Sequence, residues 1–283
     1  MTWVLGAILF WLVAWAVNVA LARSPMHDNR AVRIFIPVLF GVTLLVLWEG
    51  LVRGLGVSPV IIPPPSAVAA RFMAETGTLW EDFAQTVLKG ALSGYVMGAV
   101  AAFLTAVLID RSSFLTRGLL PIGNFVAALP IVGIAPILVS WFGFDWHSKA
   151  AVVVVMVFFP ILVNTVQGLK EASAMQQDLM RTYAAGYWQT LLKLRLPAAM
   201  PFVFNGLKIA TTLALIGAIV AEYFGSPTRG MGFRISTGVG SLSIDLVWAE
   251  IAVAALTGSV VYGLVALVEK RVTFWHPSQR HKQ

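Results

Sequence analysis

The nucleophilic and metal-ligating residues of this 283-residue chain set narrow limits on its chemistry. It contains no cysteine, which excludes a thiol nucleophile, a disulfide framework and Cys-ligated zinc or iron–sulfur sites. The four histidines, His27, His147, His276 and His281, are scattered and form no H-E-x-x-H pattern, so we expect no metal site. No G-x-x-x-x-G-K-[ST] sequence occurs, and the chain therefore lacks a P-loop for ATP phosphates.

Several polar side chains lie within long apolar stretches, where they either line a path for a solute or bond neighbouring helices. They are Asn124, Ser140, Asn164, Asn205, Thr211, Thr212 and Glu222. Pro121, Pro130 and Pro136 add a second signal, since they should kink or break one apolar helix. Broken helices in a membrane need protein or water to satisfy the released backbone groups. Two interpretations of this helix therefore remain: it lines a path for a solute, or it is a kinked helix that packs against its neighbours.

The elements that hold these residues are membrane-spanning helices. Hydrophobic residues make up 58% of the chain and charged residues 12%, whereas an ordinary soluble domain carries about 25% charged residues. A bilayer core about 30 Å thick needs roughly 20 apolar residues per helix. Seven stretches meet this length, and they lack the alternation of an outer-membrane barrel. They are about 3–22, 34–52, 86–109, 117–143, 149–168, 199–221 and 247–268. The sequence predicts an all-α polytopic bundle of about seven transmembrane helices.

The basic residues indicate the orientation of the spans, because Lys and Arg accumulate in cytoplasmic loops. If the loop after the first span is cytoplasmic, thirteen of the twenty basic residues lie inside. The N-terminus is then outside and the C-terminus inside. Lys208 lies about two turns into its span, from where it can snorkel to the inner interface.

The first span raises the question of cleavage, because Ala20-Leu21-Ala22 resembles a signal-peptidase site. No Lys or Arg precedes the apolar run, whereas Arg23, Arg30 and Arg33 follow it. This charge order favours a retained helix.

Three connecting or packing features stand out. Pro63-Pro64-Pro65-Ser66 interrupts the connection 53–85, and we expect Ser66 to cap a short interfacial helix. Gly94 and Gly98 form a G-x-x-x-G that suits either dimerisation or packing within the chain. The stretch 222–248 holds five glycines, which predicts a turn-rich outer loop.

The inner segment 170–198 mixes charged residues with helix formers. Its apolar residues recur every four positions, which predicts one stripe facing one direction. They are Met175, Leu179, Tyr183, Tyr187 and Leu191. Leu196-Pro197 should end the segment. The stripe needs either the chain's own helix ends or a partner to cover it.

This segment resembles the cytoplasmic "EAA" loop of binding-protein-dependent ABC transporter permeases. That loop reads E-A-A, three residues, Gly, about ten residues and Leu-Pro. With Leu196-Pro197 and Trp188-Gln189 as anchors, Asp178 takes the family's Glu position and Ala184 its Gly position. The literal Ala184-Ala185-Gly186 lies about six residues late and is a coincidence of small residues.

Other sequences support the same resemblance, to the nitrate, sulfonate and taurine permease subfamily. They are Pro63-Pro64-Pro65-Ser66, Trp141-Phe142-Gly143, the run 158–164, Val220-Ala221-Glu222-Tyr223 and Gly230-Met231-Gly232-Phe233. The similarity covers about residues 34–275. We therefore expect 1–33 to be an extra helix with a basic cytoplasmic loop, 34–275 the permease domain with a six-helix core, and 276–283 a cytoplasmic tail.

The resemblance implies a transport subunit and not an enzyme. Its partners would be a second permease copy, two cytoplasmic ATPase subunits that use ATP and Mg²⁺, an extracytoplasmic substrate-binding protein and membrane lipid, with no nucleic acid. No cofactor is expected on this chain itself. The ATPase-coupling residues would be Asp178, Arg181, Thr182, Ala184, Ala185, Gly186, Trp188, Leu196 and Pro197. Lys193 and Arg195 would join the charged rim of the docking surface. The path would be lined by Asn124, Pro130, Asn164, Thr211 and Glu222.

The resemblance leaves the substrate open. Nitrate, sulfonate and taurine importers share this permease type with importers of riboflavin and thiamine-pyrimidine precursors. The segment 192–225 is more similar to the heterocycle branch, and we expect a flat neutral solute. The main alternative function is a secondary transporter driven by an ion gradient, which the proline-broken spans would suit. Such a protein should show paired repeats, and the sequence has no convincing repeat.

Overall fold

A computed structural model describes residues 1–25, 29–112, 129–225 and 228–275, together with residues 114, 115, 118, 123 and 126. The regular structure in these residues is helical, as the sequence predicts. Six of their helices are long and apolar enough to cross a membrane.

The helices follow the apolar stretches of the sequence. They are α1 (Thr2–Arg23), α2 (Arg30–Gly54), α3 (Pro65–Ala74), α4 (Thr76–Phe83), α5 (Leu92–Asp110), α6 (Ile131–Phe142), α7 (Trp146–Leu169), α8 (Ala174–Thr182), α9 (Tyr187–Thr190), α10 (Leu196–Gly225), α11 (Met231–Gly240) and α12 (Ile244–Val272). Two π-helical segments, Ala84–Ala91 and Leu191–Arg195, join α4 to α5 and α9 to α10. The spanning helices that contain them are therefore Thr76–Asp110 and Tyr187–Gly225.

Two predicted boundaries are wrong because the π-helical segments carry a helix through them. The third span begins at Thr76, ten residues before the predicted start. Leu196-Pro197 does not end the inner segment, since Leu196 opens α10 and Pro197 lies in its first turn. Proline lacks the N–H of an α-helical bond, and a π-helical turn just before it absorbs the change of register.

Other predictions are sharpened or lie outside the described residues. Of the predicted span 117–143, the structure describes α6 in its second half, while Pro121 and much of the first half lie outside the described residues. The predicted interfacial helix is α3, but Pro64 is its N-cap residue and Ser66 lies in its first turn. Proline is favoured at N1, which explains this start at Pro65. The stretch 222–248 is not simply turns, because it contains α11.

The chain divides into two compact units, Met1–Gly77 with Thr237–Ile251, and Thr78–Ser236 with Ala252–Gln283. In the first, α1 packs along α2, where Ala7 and Ala14 are buried. Gly50 permits this close approach, since a Cβ there would collide with Ala7.

In the second unit, α7 is central and packs against α5 and α10. Its core includes Val153, Val157, Ile161 and Leu162, which are fully or almost fully buried. Gly94 and Gly98 face α7, where an added Cβ would meet Val153 or Val157. The G-x-x-x-G therefore serves packing within this chain.

Candidate functional site

The exposed helix α8 is the centre of the predicted coupling segment. A capping box begins it, because Gln176 N–H donates to Ser173 Oγ at 3.3 Å and Ser173 N–H donates to Gln176 Oε1 at 3.0 Å. None of its residues, all of which the structure describes, is buried. Asp178 and Arg181 form an exposed ion pair at 3.0 Å, and Thr182 Oγ1 donates to Asp178 O at 3.0 Å.

Ala184 ends α8 in a left-handed conformation with φ of 52°. Ala184 N–H donates to Arg181 O at 2.9 Å, and Ala185 N–H donates to Met180 O at 3.0 Å. These two bonds form a Schellman motif, in which the left-handed position is usually glycine. Ala184 thus occupies a place that favours glycine, whereas Gly186 has an ordinary φ of −70°. This geometry agrees with the alignment of Ala184, and not Gly186, to a family glycine.

The predicted single stripe is wrong, because the left-handed residue turns the chain between its third and fourth members. Met175, Leu179 and Tyr183 are strongly exposed on α8 and at its end. Leu191 is only 3% exposed and packs with Leu169, Ala199 and Val203. The first three residues therefore form an uncovered apolar surface, while the last two belong to the helix bundle.

After Gly186, the chain is fixed to the ends of two spanning helices. Arg195 donates from Nη1 to Asp110 Oδ2 at 2.7 Å and from Nη2 to Asp110 Oδ1 at 2.5 Å. Its Nε donates to Leu169 O at 3.0 Å, and Tyr187 Oη donates to Asp110 Oδ2 at 2.9 Å. Arg195 is therefore not a rim residue of the exposed surface, whereas Trp188 and Lys193 are exposed to solvent.

Asn164 and Asn205 form a polar pair between α7 and α10. Asn205 Nδ2 donates to Asn164 Oδ1 at 3.0 Å, and Asn164 Nδ2 donates to Pro160 O at 2.8 Å. Asn205 is exposed, and Ile209, Thr212 and Ile216 follow it on the same exposed face of α10. A spanning helix that turns carboxamide and hydroxyl groups outward needs protein or water beside it. Of the polar residues on α10, Asn205 and Thr212 are exposed, whereas Thr211 is buried.

The remaining predicted path residues have different surroundings. Thr211 is buried and its hydroxyl donates to Lys208 O at 2.7 Å. Pro130 is exposed and is the N-cap residue of α6, and Asn124 lies outside the described residues.

Glu222 lies in a buried polar cluster at the start of α11. Thr86 Oγ1 donates to Glu222 Oε2 at 2.6 Å, and Gly232 N–H donates to the same oxygen at 3.1 Å. Met231 N–H donates to Thr86 Oγ1 at 2.8 Å. The left-handed Gly230, with φ of 116°, lies so close to Glu222 that an added Cβ would overlap its carboxylate. Acceptors at the first N–H groups of a helix satisfy donors that lack an intrahelical partner.

Three more charged residues of this cluster were missed by sequence reasoning. Asp82 accepts from Gly230 N–H at 2.6 Å and from Arg234 Nε at 2.8 Å. Lys149 donates from Nζ to Phe144 O and Gly225 O, and the latter is the last residue of α10. Asp82 and Lys149 are fully buried. The sequence held one signal for these residues, namely a charged residue beside an apolar run at the end of a predicted span.

Lys208 has a partner within the second unit. Its Nζ lies 2.7 Å from Glu269 Oε2, which links α10 to α12. Both side chains are largely buried, so the expected snorkelling is replaced by an ion pair.

The chain matches the family described as binding-protein-dependent transport system inner membrane component over residues 94–274. It is also similar to a probable ABC transporter permease protein of Haemophilus influenzae. The two are 33% identical over 232 residues, which cover 82% of this chain and 94% of the relative.

Two further relatives have named solutes. A formylaminopyrimidine transport permease protein of Halalkalibacterium halodurans is 30% identical over 89% of this chain and 100% of its own length. A riboflavin transport system permease protein of Chloroflexus aurantiacus is 30% identical over 83% of this chain and 88% of its own length.

Proposed function

The chain belongs to the family of binding-protein-dependent transport system inner membrane components, and on that premise we propose how it transports. It is a multi-pass inner-membrane permease of an ABC importer, and its family implies an ATPase and a substrate-binding protein as partners. We propose that α8 docks on the ATPase, that two copies of this chain enclose the path, and that the solute is a heterocycle.

The observation that carries the docking proposal is the uncovered surface of α8. Met175 is 83% exposed, Leu179 56% and Tyr183 76%, and the ion pair of Asp178 and Arg181 lies on the same helix. An apolar patch with a charged rim is the usual composition of a protein interface. The ATPase would supply the cover that the described residues do not give this helix, and it would use ATP with Mg²⁺.

The orientation follows from the same partner. If α8 meets a cytoplasmic ATPase, the ends of α5 and α7 at Asp110 and Leu169 are cytoplasmic. The N-terminus is then outside, in agreement with the distribution of Lys and Arg. Residues 1–33 would add one helix to the permease domain 34–275, and the tail 276–283 would be cytoplasmic.

The exposed face of α10 supports a path between two copies of the chain. The Asn164–Asn205 pair and Thr212 would be costly beside lipid, because hydrocarbon offers no hydrogen bonds. A second permease copy with a hydrated path between the two would provide partners for them.

The substrate proposal is a pyrimidine precursor or riboflavin, with sulfonate, taurine or nitrate next. Two relatives at 30% identity are named for formylaminopyrimidine and riboflavin transport. Carboxamide groups such as Asn164 and Asn205 can both donate to and accept from a neutral heterocycle. No charge would be required of the solute.

The experiment is to express the chain with the ATPase and binding protein encoded beside it. We expect the ATPase to co-purify, and vesicles to take up riboflavin or a formylaminopyrimidine in the presence of ATP. An ionophore should leave this uptake intact. Uptake that follows an ion gradient and ignores ATP would instead identify a secondary transporter.

A further inference from the structure

Arg195 lies where three spanning helices meet. It ends the π-helical segment that leads into α10, and it bonds to the last residue of α5, Asp110, and to the last residue of α7, Leu169. The two bonds to Asp110 are 2.7 and 2.5 Å long, and the bond to Leu169 O is 3.0 Å long. One guanidinium group therefore joins the ends of α5 and α7 to the start of α10.

The bonds depend on the shape of arginine. The planar guanidinium group presents parallel N–H donors to both carboxylate oxygens, while Nε remains for the carbonyl of Leu169. The Arg195 side chain is 16% exposed and the Asp110 side chain 8%, so water replaces these bonds poorly. A lysine at this position would keep the charge but could not make the same three bonds.

Aromatic residues brace the same junction from α9. Tyr187 Oη donates to Asp110 Oδ2 at 2.9 Å. The Arg111 guanidinium carbon lies 5.0 Å from the centre of the Tyr187 ring and 5.4 Å from that of Trp188. Cations at this distance from an aromatic face are attracted to it. The segment 187–195 is thus fixed to the end of α5 at several points.

Within the described residues, α8 makes no comparable bond to the end of a spanning helix, and Gln177 Nε2 donates at 2.9 Å to Ala172 O in the short connection from α7. None of its residues, as the structure describes them, is buried, and the left-handed Ala184 separates it from α9. A displacement of α8 reaches α7 directly through the four residues 170–173. It also reaches α10 through the chain after Gly186, where Tyr187 and Arg195 bond to Asp110 at the end of α5. The end of α5 is therefore linked to α8 through this pair and not through its own neighbouring chain.

We infer that Arg195 and Asp110 are positioning residues that pass movement of α8 to the inner end of α5, so that it moves together with the ends of α7 and α10. This inference rests on the proposed docking of α8 on an ATPase. Without the pair, a movement of α8 would act on α7 and α10, to which the chain joins it, but the end of α5 would not shift with them.

The test uses the full permease with its ATPase and binding protein in lipid vesicles. The readout is the ratio of ATP hydrolysis with and without binding protein loaded with riboflavin or a formylaminopyrimidine. We expect Arg195→Lys and Asp110→Asn to lower this ratio about tenfold, within the usual range of coupling between sites. The double variant should fall no further than either single variant, because both changes remove one link.

The matched control is Glu269→Gln, which breaks the similarly buried Lys208–Glu269 pair at α10 and α12. It should lower the unfolding temperature much as Asp110→Asn does and retain the wild-type ratio. An equal loss of ratio in both variants would show general destabilisation and overturn the inference, and so would additive losses in the double variant.

A second measurement covers the case in which the single variants assemble poorly. The chain has no cysteine of its own. In a variant with Asp110→Cys and Arg195→Cys, a short bismaleimide can therefore join the two introduced thiols and finds no other thiol in this subunit. Cross-linking should restore at least half of the lost stimulation, and failure to do so in assembled complexes would contradict the positioning role. If the wild-type complex shows no stimulation or ATP-driven uptake, the proposed function fails instead.

Discussion

The Thr86 hydroxyl donates a 2.6 Å hydrogen bond to Glu222, and both side chains are buried. Thr86 lies in the π-helical segment before α5, and Glu222 lies in the last turn of α10. Through Met231 and Gly232 the same two side chains accept the first N–H groups of α11. One pair of side chains thus holds three helical segments together.

Removing the Glu222 carboxylate should destabilise the permease more than neutralising it. Glu222→Ala leaves the Thr86 hydroxyl and Gly232 N–H without their acceptor, at a cost of about 1–3 kcal/mol per buried group. Glu222→Gln keeps one acceptor oxygen, and Oε1 makes no hydrogen bond within the described residues. Thermal unfolding in detergent should rank wild type, Gln and Ala in falling order. A Gln variant as unstable as Ala would contradict this assignment.

Ala184→Gly should stabilise the end of α8. The left-handed conformation costs a non-glycine residue roughly 1–2 kcal/mol, and the flexibility of glycine in the unfolded chain offsets part of this gain. We expect a net gain of about 0.5–1 kcal/mol in unfolding free energy, measured by chemical denaturation. Gly186→Ala is the control, because its φ of −70° and open surroundings suit alanine. A destabilising Gly186→Ala change together with no gain from Ala184→Gly would contradict this assignment.

Single cysteines on α8 should report the docking surface. Met175→Cys and Leu179→Cys should react quickly with maleimide in the permease alone, because both side chains are exposed. Bound ATPase should slow these reactions at least tenfold, while an exposed control, Ser241→Cys, keeps its rate. In intact cells a membrane-impermeant maleimide should label only Ser241→Cys, which also tests the proposed orientation. Unchanged labelling of Met175→Cys with ATPase bound would remove the docking proposal.

Replacing both members of the Lys208–Glu269 pair should cost less than replacing one. Lys208→Met alone leaves a largely buried carboxylate unpaired, and loss of one partner of a buried pair costs about 3–5 kcal/mol. The double variant Lys208→Met with Glu269→Gln removes the stranded charge. A double-mutant cycle on unfolding temperature should therefore show a favourable coupling. Additive effects would indicate that each side chain acts alone.

Gly50→Val should separate α1 from α2. An added Cβ at Gly50 overlaps Ala7, whereas Gly41 on the same helix has open space around it. Overpacking typically costs about 1–3 kcal/mol, so Gly50→Val should expose α1 to proteolysis and Gly41→Ala should not. The mass of the purified subunit tests separately whether α1 is retained or is removed by cleavage after Ala22.

The fold class was readable from the sequence because hydrocarbon leaves few options for an apolar run of twenty residues. The limits of the helices were less readable. Residues 76–85 were predicted to lie in a connection, yet Asp82 is buried and bonds to Gly230 and Arg234, which lie about 150 residues away in sequence. Hydropathy cannot anticipate such partners, since it scores each charge as if it faced water or lipid.

The exposed surface of α8 was predictable in part for a similar reason. The four-residue periodicity predicted the exposed Met175 and Leu179, but it also extended their stripe to Leu191. Residue spacing takes no account of the left-handed backbone at Ala184, which turns the chain. Alignment to the family motif assigned Ala184 to a glycine position, which agrees with its left-handed backbone, but it gave no sign that Pro197 follows a π-helical turn. Arg195 was expected on the rim of the docking surface, but it bonds to Asp110, which lies 85 residues earlier in the sequence.

The charges around the start of α11 have a consequence for the membrane potential. Asp82 and Glu222 contribute two formal negative charges, and Lys149 and Arg234 contribute two formal positive ones. One elementary charge moved across the membrane exchanges about 2.3 kcal/mol with a potential of 100 mV. A cluster of zero net formal charge that moves as one body exchanges none of this work. Voltage would then neither drive nor resist a displacement of this part of the permease.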